Sequence, residues 1–396
     1  MPLMRIPYTA PLPAPTIIPA SASTLPGALA ALQDFLLSPS PSPDTTTTTY
    51  RTPGKPLILS GAGISVASGL ADYRGSQGTY TLNKTYRPIY FHEFSANHEA
   101  RKRYWARSFL GWTNLNRSKP NAAHSAVREL GRLGLVGGVV TQNVDSFHTL
   151  AHPELRTLEL HGYLRSCVCL SCRREYDRRK FQTELAALNP AWSGFLDEML
   201  ASGALTTENP DERRRRGLKT NPDGDVDVPG VEYGTFRYPA CPVCLADPPE
   251  GKRVEVDGDG AWAPSSTAGV LKPAVIMFGE SIPNSTRVAV ESAVDEADKM
   301  LILGSSLATY SAWRLVKRAR EAGKAIAAVN MGGLRGEEGF FAHVPVHGNG
   351  REGVRCAVPL EEALPALVER LRGVVPRLPP PTSGLVNQDF QPAPWR

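Results

Sequence analysis

At 396 residues the chain is long enough for one large domain and a smaller module, so the size of its core is not limiting. Its 41% apolar and 21% charged residues are ordinary for a globular protein, and no run approaches the 18 or more apolar residues of a membrane span. The excess of 44 basic over 39 acidic residues, +5, permits a basic or acidic partner but, without a face-long basic stripe, does not argue for nucleic acid, and no direct nucleic-acid binding is expected.

Residues 1–27 read as an N-terminal extension. Arg5 is its only charge, hydroxyls are frequent, and no acid occurs before Asp34. That composition suits a mitochondrial transit peptide, whereas seven prolines before residue 27 oppose a clean amphipathic helix. A targeting segment and a disordered tail both stay open. A helical pattern over Ala28–Leu37 leads into a low-complexity linker at about 38–54. Apolar β runs follow at Lys55–Ser60, Leu135–Thr141, Ala274–Phe278, Met300–Leu303 and Ala325–Val329, with Val344–His347 a candidate sixth. Helical patterns over His124–Leu133, Ser285–Ala297 and Ala312–Ala322 lie between them. Short buried strands alternating with helices predict an α/β fold with a Rossmann-like, doubly wound parallel sheet, assigned to residues 28–162 and 269–375. Residues 163–268 break the rhythm, being rich in Pro, Gly and Asp and helical only at Arg179–Leu188 and Phe195–Leu200. They form a smaller inserted module, in which the run Arg213–Arg216 reads as a solvated loop. The Pro-rich tail, 376–396, is predicted to be disordered.

The cysteines are informative by position. Cys169/Cys172 and Cys241/Cys244 are two CxxC pairs, with Cys167 and Cys356 left over. Four thiolates presented as two such pairs make the closed tetrahedral set of one structural Zn2+ ion, with no open position for a reacting water. Removing the metal should unfold the module. A redox CxxC would come singly after a strand. Between Cys172 and Cys241 lie 68 residues, and between Cys244 and Lys272 a further 27, read as surface loops whose closure cost grows slowly with length. Cys167 reads as a bystander.

Gly61-Ala62-Gly63-Ile64-Ser65 follows the first strand. A dinucleotide fingerprint would want glycine at 66, where Val66 stands, so this turn alone suits a ligand-free tight turn as well as a phosphate site. Ala71-Asp72-Tyr73-Arg74-Gly75, Thr141-Gln142-Asn143-Val144-Asp145, Leu158-Glu159-Leu160-His161-Gly162, Lys272-Pro273 to Phe278-Gly279-Glu280, Gly304-Ser305-Ser306-Leu307 and Val329-Asn330 come later. Most follow strand candidates, where open α/β sheets bind ligands, and together they outline one cleft.

This ordered set resembles the sirtuins, the silent information regulator family of NAD-dependent protein deacylases, over about Lys55 to Leu371. Arg101–Trp112 (RKRYWARSFLGW) is similar to the class II branch, closest to its mitochondrial lipoamidase and ADP-ribosyltransferase member. The resemblance implies NAD as co-substrate between the sheet and the zinc module. Its diphosphate would lie over Gly61, Ala62 and Gly63, its nicotinamide and ribose at Gln142, Asn143 and Asp145, and its adenosine half at Ser305, Ser306, Asn330 and Cys356. Ile64, Asp72, Tyr73, Arg74, Gly304, Met331 and Gly332 complete the implied contacts. The implied catalytic residues are His161, Asn143 and Asp145, with His161 a general base expected to titrate near neutrality. The products would be free lysine, nicotinamide and O-acyl-ADP-ribose. Asn143 and Asp145 also read as helix caps, and Cys356 as a buried small hydrophobe.

The implied partners are acylated-lysine proteins or peptides, with no membrane contact and a monomeric chain. Acidic acyl groups need a tyrosine with a nearby arginine; Tyr80 matches the first, but no arginine occurs between it and Arg87, so desuccinylation is expected to be weak. Leu70-Ala71 replaces the usual Ile-Pro, which loosens the cofactor loop. Protein mono-ADP-ribosyl transfer from the same cleft is the alternative activity. A non-catalytic scaffold is a third, against which His161 and Asn143 argue. The class II likeness implies the mitochondrial matrix; a nuclear location, with Arg213–Arg216 as its signal, or a cytoplasmic one is the alternative.

Overall fold

The computed structural model describes residues 12–39, 54–75, 78–82, 87–203, 219–220, 225–228 and 230–375. Most of the linker, Arg213–Arg216 and the tail lie outside the described residues. The strands in chain order are β1 (Pro56–Ser60), β2 (Gly138–Thr141), β3 (Thr157–Glu159), β4 (Gly162–Cys169), β5 (Glu175–Asp177), β6 (Lys219–Thr220), β7 (Val226–Asp227), β8 (Leu271–Val275), β9 (Lys299–Leu303), β10 (Ala325–Val329) and β11 (Gly353–Cys356).

Six of them form one sheet in the order β11-β10-β9-β1-β2-β3, every pairing parallel. All five residues of β1, PLILS, are buried, as a strand covered on both faces requires. On one face Ile58, Val139, Leu301 and Ala327 join a core with helices Leu25–Leu37, Ala122–Arg132 and Leu360–Arg372. On the other, Leu59, Val140 and Ile302 pack with helices Asn284–Glu296 and Tyr310–Glu321. The chain winds from β1 out to β3, then returns beside β1 at β9 and winds the other way. That reversal opens a crevice at the carboxyl ends of β1 and β9.

Three strand expectations are corrected. Val344–His347 is no strand: Pro345 lacks a donor, and Val344 and Gly348 close local turns on Phe341 and Pro345. The outer strand is β11, which the sequence pattern missed, as it did the three-residue β3. The run expected at Ala274–Phe278 becomes β8, which pairs antiparallel with β4 in a three-stranded sheet ordered β5-β4-β8 and not in the main sheet. As an edge strand it tolerates Pro273.

The module boundary of 163–268 is corrected too. Tyr104, Trp105 and Phe109 of helix His98–Arg117 share one core with Cys169, Phe181, Phe236 and Leu271, so that helix and β8 belong with the module. Arg107 holds Asp225 at 2.9 Å in a buried pair, which fastens the first insertion to this helix. The second insertion is not a bare surface loop: Trp262 is buried, stacks on Tyr238 and donates to the Ala268 carbonyl at 2.9 Å.

The extension assigned to 1–27 is corrected in its described part. Ile18 pairs antiparallel with Arg355, and Ala22 is fully buried. The first helix starts at Leu25, capped by Thr24, whose hydroxyl accepts from the Gly27 amide at 3.3 Å. At its far end buried Lys299 donates to the carbonyls of Phe35 (2.6 Å) and Ser38 (2.5 Å). No helix among the described residues is long and apolar enough to cross a membrane.

Candidate active site

The glycine turn is shaped by its neighbour across the reversal point. A Cβ on Gly63 would meet the backbone of Gly304 at 2.8 Å, and one on Gly304, whose φ is +60°, would meet the Ile64 amide nitrogen at 2.5 Å. The turns after β1 and β9 therefore touch backbone to backbone, with Gly63 donating to the Gly304 carbonyl at 2.8 Å. Ala62–Ser68 continues as a 3-10 helix. Ile64 is buried in the core, so only its backbone faces the turn.

The Thr141–Asp145 segment leaves β2 beside this turn. Gln142 donates to Ser305 Oγ (2.7 Å) and to the Ser60 carbonyl (3.2 Å), and its Oε1 accepts from Thr309 at 3.1 Å. Asn143 is buried and donates to the Gly61 carbonyl and to Ser65 Oγ, both at 3.2 Å. Ser65 in turn donates to Asp145 Oδ2 at 2.7 Å. The other oxygen of Asp145 accepts from the Phe147 amide at 2.9 Å, the first of helix Phe147–Ala151, from one residue ahead of the cap position Ser146. Burial raises the Asp145 pKa against the lowering effect of those two bonds.

His161 closes the floor. It is 5% exposed, and Nδ1 lies 3.1 Å from the Gln142 carbonyl, an acceptor only. That contact assigns the proton to Nδ1 and leaves Nε2 with its lone pair, 2.8 Å from Ser311 Oγ. Burial pushes the imidazole down to about 4, against a smaller rise from the Gln142 bond. Titration near neutrality is thus corrected: a desolvated ring resists charging.

Behind the cleft lie three more buried histidines. His148 Nε2 is 2.8 Å from Ser60 Oγ and Nδ1 is 2.9 Å from His152 Nε2, with the His124 ring 5.0 Å from that of His148. Burial lowers all three pKa values, that of His124 to about 3. Neither this cluster nor Ser311 was signalled by motif spacing, since contacts across the fold bring them together.

Of the remaining implied contacts, Ser305 accepts from Gln142, Ser306 accepts through its carbonyl from Arg335 at 2.9 Å, and Met331 is 61% exposed on the loop after β10. Asn330 and Gly332 share that loop, joined by a 2.8 Å side-chain bond. The Cys356 thiol is wholly buried in the core and burial pushes its pKa to about 12, so a ligand could be reached only through its backbone. Asp72 Oδ1 accepts from Gly75 at 3.0 Å, and Tyr73 stacks on Tyr80 at 5.7 Å. Arg74 lies over Tyr80, and its buried Nε and Nη2 have no hydrogen-bond partner among the described residues. A partly buried guanidinium with open donors suits an anionic group such as a diphosphate.

β4 runs from the His161 end of the crevice to the metal cluster. The sulfurs of Cys169, Cys172, Cys241 and Cys244 lie within 4.8 Å of one another, Cys169 to Cys244 at 3.6 Å and Cys172 to Cys241 at 3.8 Å. Tetrahedral zinc with bonds of about 2.3 Å wants sulfurs about 3.8 Å apart, so the set fits one Zn2+ ion and leaves no fifth ligand position. The four thiols share contacts within the set, and a bound metal would hold all of them as thiolates. Cys167 is buried outside this set.

A glycine turn at the reversal point of a six-stranded 3-2-1-4-5-6 sheet defines a Rossmann-like, dinucleotide-binding α/β protein, here with a cysteine-built zinc module at the crevice. The Sir2 family model matches residues 61–311. An NAD-dependent protein deacylase of Batrachochytrium dendrobatidis is 38% identical over 72% of this chain and 83% of its own length. An NAD-dependent protein deacetylase of Streptomyces coelicolor is 37% identical over 80% and 86%. A crystal structure of a Sir2 homologue in complex with NAD is similar in fold, with TM-score 0.52 at 20% identity over 87% of this chain and 94% of that one. The chain belongs to the Sir2 family of NAD-dependent protein deacylases.

Proposed function

We propose that His161 is the general base of acyl-lysine deacylation in this chain, with Asn143 and Asp145 setting the shape of the nicotinamide–ribose end of the cleft. The single observation that carries this reading is a buried, neutral imidazole whose Nδ1 proton is held by the Gln142 carbonyl, leaving Nε2 as the acceptor. Bound NAD supplies an electrophilic ribose carbon with nicotinamide as its leaving group. His161 Nε2 takes a proton from a sugar hydroxyl once the Ser311 hydroxyl turns aside. The Ser65 bond holds Asp145 in place, and Asn143 is held at the Gly61 turn. Arg74 and the Gly61–Ile64 turn would hold the diphosphate, with Asn330, Met331 and Gly332 at the adenosine end. The test is product analysis with an acetyl- or lipoyl-lysine peptide: soluble O-acyl-ADP-ribose and free lysine support the reading. ADP-ribose retained on protein would replace it with the transferase activity.

Acetyl and lipoyl groups are the proposed substrates over succinyl. Arg87 already pairs with Glu93 at 2.8 Å and lies over Tyr90, so its charge is met locally. A faster rate on succinyl-lysine than on both others would overturn this. The enzyme is further proposed to act as a monomer on acylated proteins, without nucleic acid or membrane, in the mitochondrial matrix. The support for that location is the acid-free N-terminus. Imaging a C-terminally tagged protein tests it, and nuclear signal would refute it.

A further inference from the structure

The residues ahead of the first helix are built into the far end of the cleft. Arg355 on β11 is completely buried. Its guanidinium pairs with Glu337 at 3.0 Å and donates to the carbonyls of Asn330 (2.8 Å), Gly332 (2.5 Å) and Cys356 (2.8 Å). One side chain thus gathers the loop that leaves β10 and fixes it to the neighbouring strand. Glu337, itself buried, also accepts from the Leu334 amide at 2.9 Å, closing the other end of the same loop.

The N-terminal segment completes this arrangement with backbone groups. The Thr16 amide donates to Glu337 Oε1 at 2.8 Å, the oxygen that faces Arg355. Ile18 exchanges both backbone bonds with Arg355, at 2.9 and 2.6 Å. Pro13 crosses Gly333 so closely that a Cβ there would lie 1.9 Å from the Pro13 carbonyl oxygen. A buried carboxylate that loses a donor relaxes toward others, and here those others are the bonds that shape the loop.

We propose that residues 12–18 form a structural clip for NAD binding, and that Arg355 and Glu337 are positioning residues acting through the Asn330–Gly332 loop. The segment is then a working part of the mature enzyme, and any leader that is removed ends before Leu12. This rests on the reading that Asn330, Met331 and Gly332 receive the adenosine half of NAD.

The test uses full-length variants, with ADP-ribose titrated calorimetrically and steady-state constants measured for NAD and acyl peptide. Thr16→Pro removes the amide donor, whereas Thr16→Ala keeps it. Thr16→Pro and Glu337→Gln should each weaken ADP-ribose binding and raise the NAD KM by about ten-fold, with kcat and the peptide KM within about two-fold; Thr16→Ala should match the parent. A general loss of packing would instead move both KM values and kcat together, which would overturn the proposal. So would Thr16→Pro and Glu337→Gln both binding ADP-ribose like the parent while Asn330→Ala binds it weakly. If Asn330→Ala also binds normally, the adenosine reading itself is wrong and the proposal goes with it. Intact mass of the protein recovered from cells gives an independent check: a mature chain beginning beyond Leu12 refutes the clip.

Discussion

The pH dependence of kcat/KM follows from the setting of His161. The free imidazole titrates near 6.5, and burial takes it down to about 4, a bias of about 3 kcal/mol against the imidazolium. The acid limb of kcat/KM reports the base in the free enzyme. At pH 5.5 a base of pKa about 4 is about 97% deprotonated, whereas one of 6.5 is only about 9% so, roughly a ten-fold difference in rate. The assay is initial-rate deacylation at subsaturating NAD from pH 5.5 to 8, and a nearly flat acid side is expected. Folding must be followed on the same samples, because the same burial has a stability cost in acid. A histidine held neutral binds fewer protons folded than unfolded. Its stabilising contribution is therefore complete above about pH 6.5 and is lost as pH falls toward the folded value, at up to about 1.4 kcal/mol per pH unit for each ring. An acid limb centred near 6.5 in chains still fully folded would refute the assignment of a desolvated His161 as base.

The same linkage applies to the buried set of His124, His148 and His152, so urea midpoints should fall steeply between pH 6.5 and 5; a flat midpoint would mean these rings are solvated or charged. His161→Ala should lower kcat by about 10²- to 10⁴-fold while ADP-ribose still binds, and full deacylation by this variant would end the mechanism. Cys241→Ser should leave the protein without its stoichiometric zinc by elemental analysis and unfold the module; retained metal with native thermal unfolding would contradict the four-sulfur site. Lys299→Ala opens the end of the first helix and strands the Ser38 and Phe35 carbonyls, so urea unfolding should show a loss of about 2–4 kcal/mol. A change under about 1 kcal/mol would show that the cap is not formed.

Much of this protein is legible without coordinates, for physical reasons that can be named. Buried parallel strands such as Pro56–Ser60 and Ala325–Val329 need unbroken apolar runs, and two CxxC pairs suit few chemistries other than a closed metal site. Motifs at strand ends mark a crevice because doubly wound sheets bind there. Which sheet a run joins was not legible: Ala274–Phe278 (AVIMF) is as apolar as the other runs, and only the antiparallel partner Gly162–Cys169 draws the strand at Leu271–Val275 into the zinc module. Nor could local pattern reveal Ser311 beside His161, separated by 150 residues, or Thr16 on Glu337, separated by 321. The sequence by itself therefore determined the chemistry available, the glycines, the thiols and the imidazole, because residue type sets what each group can do. Only the tertiary structure decided the protonation of that imidazole and the reach of the N-terminal segment, because burial and long-range hydrogen bonds exist only once the chain is packed.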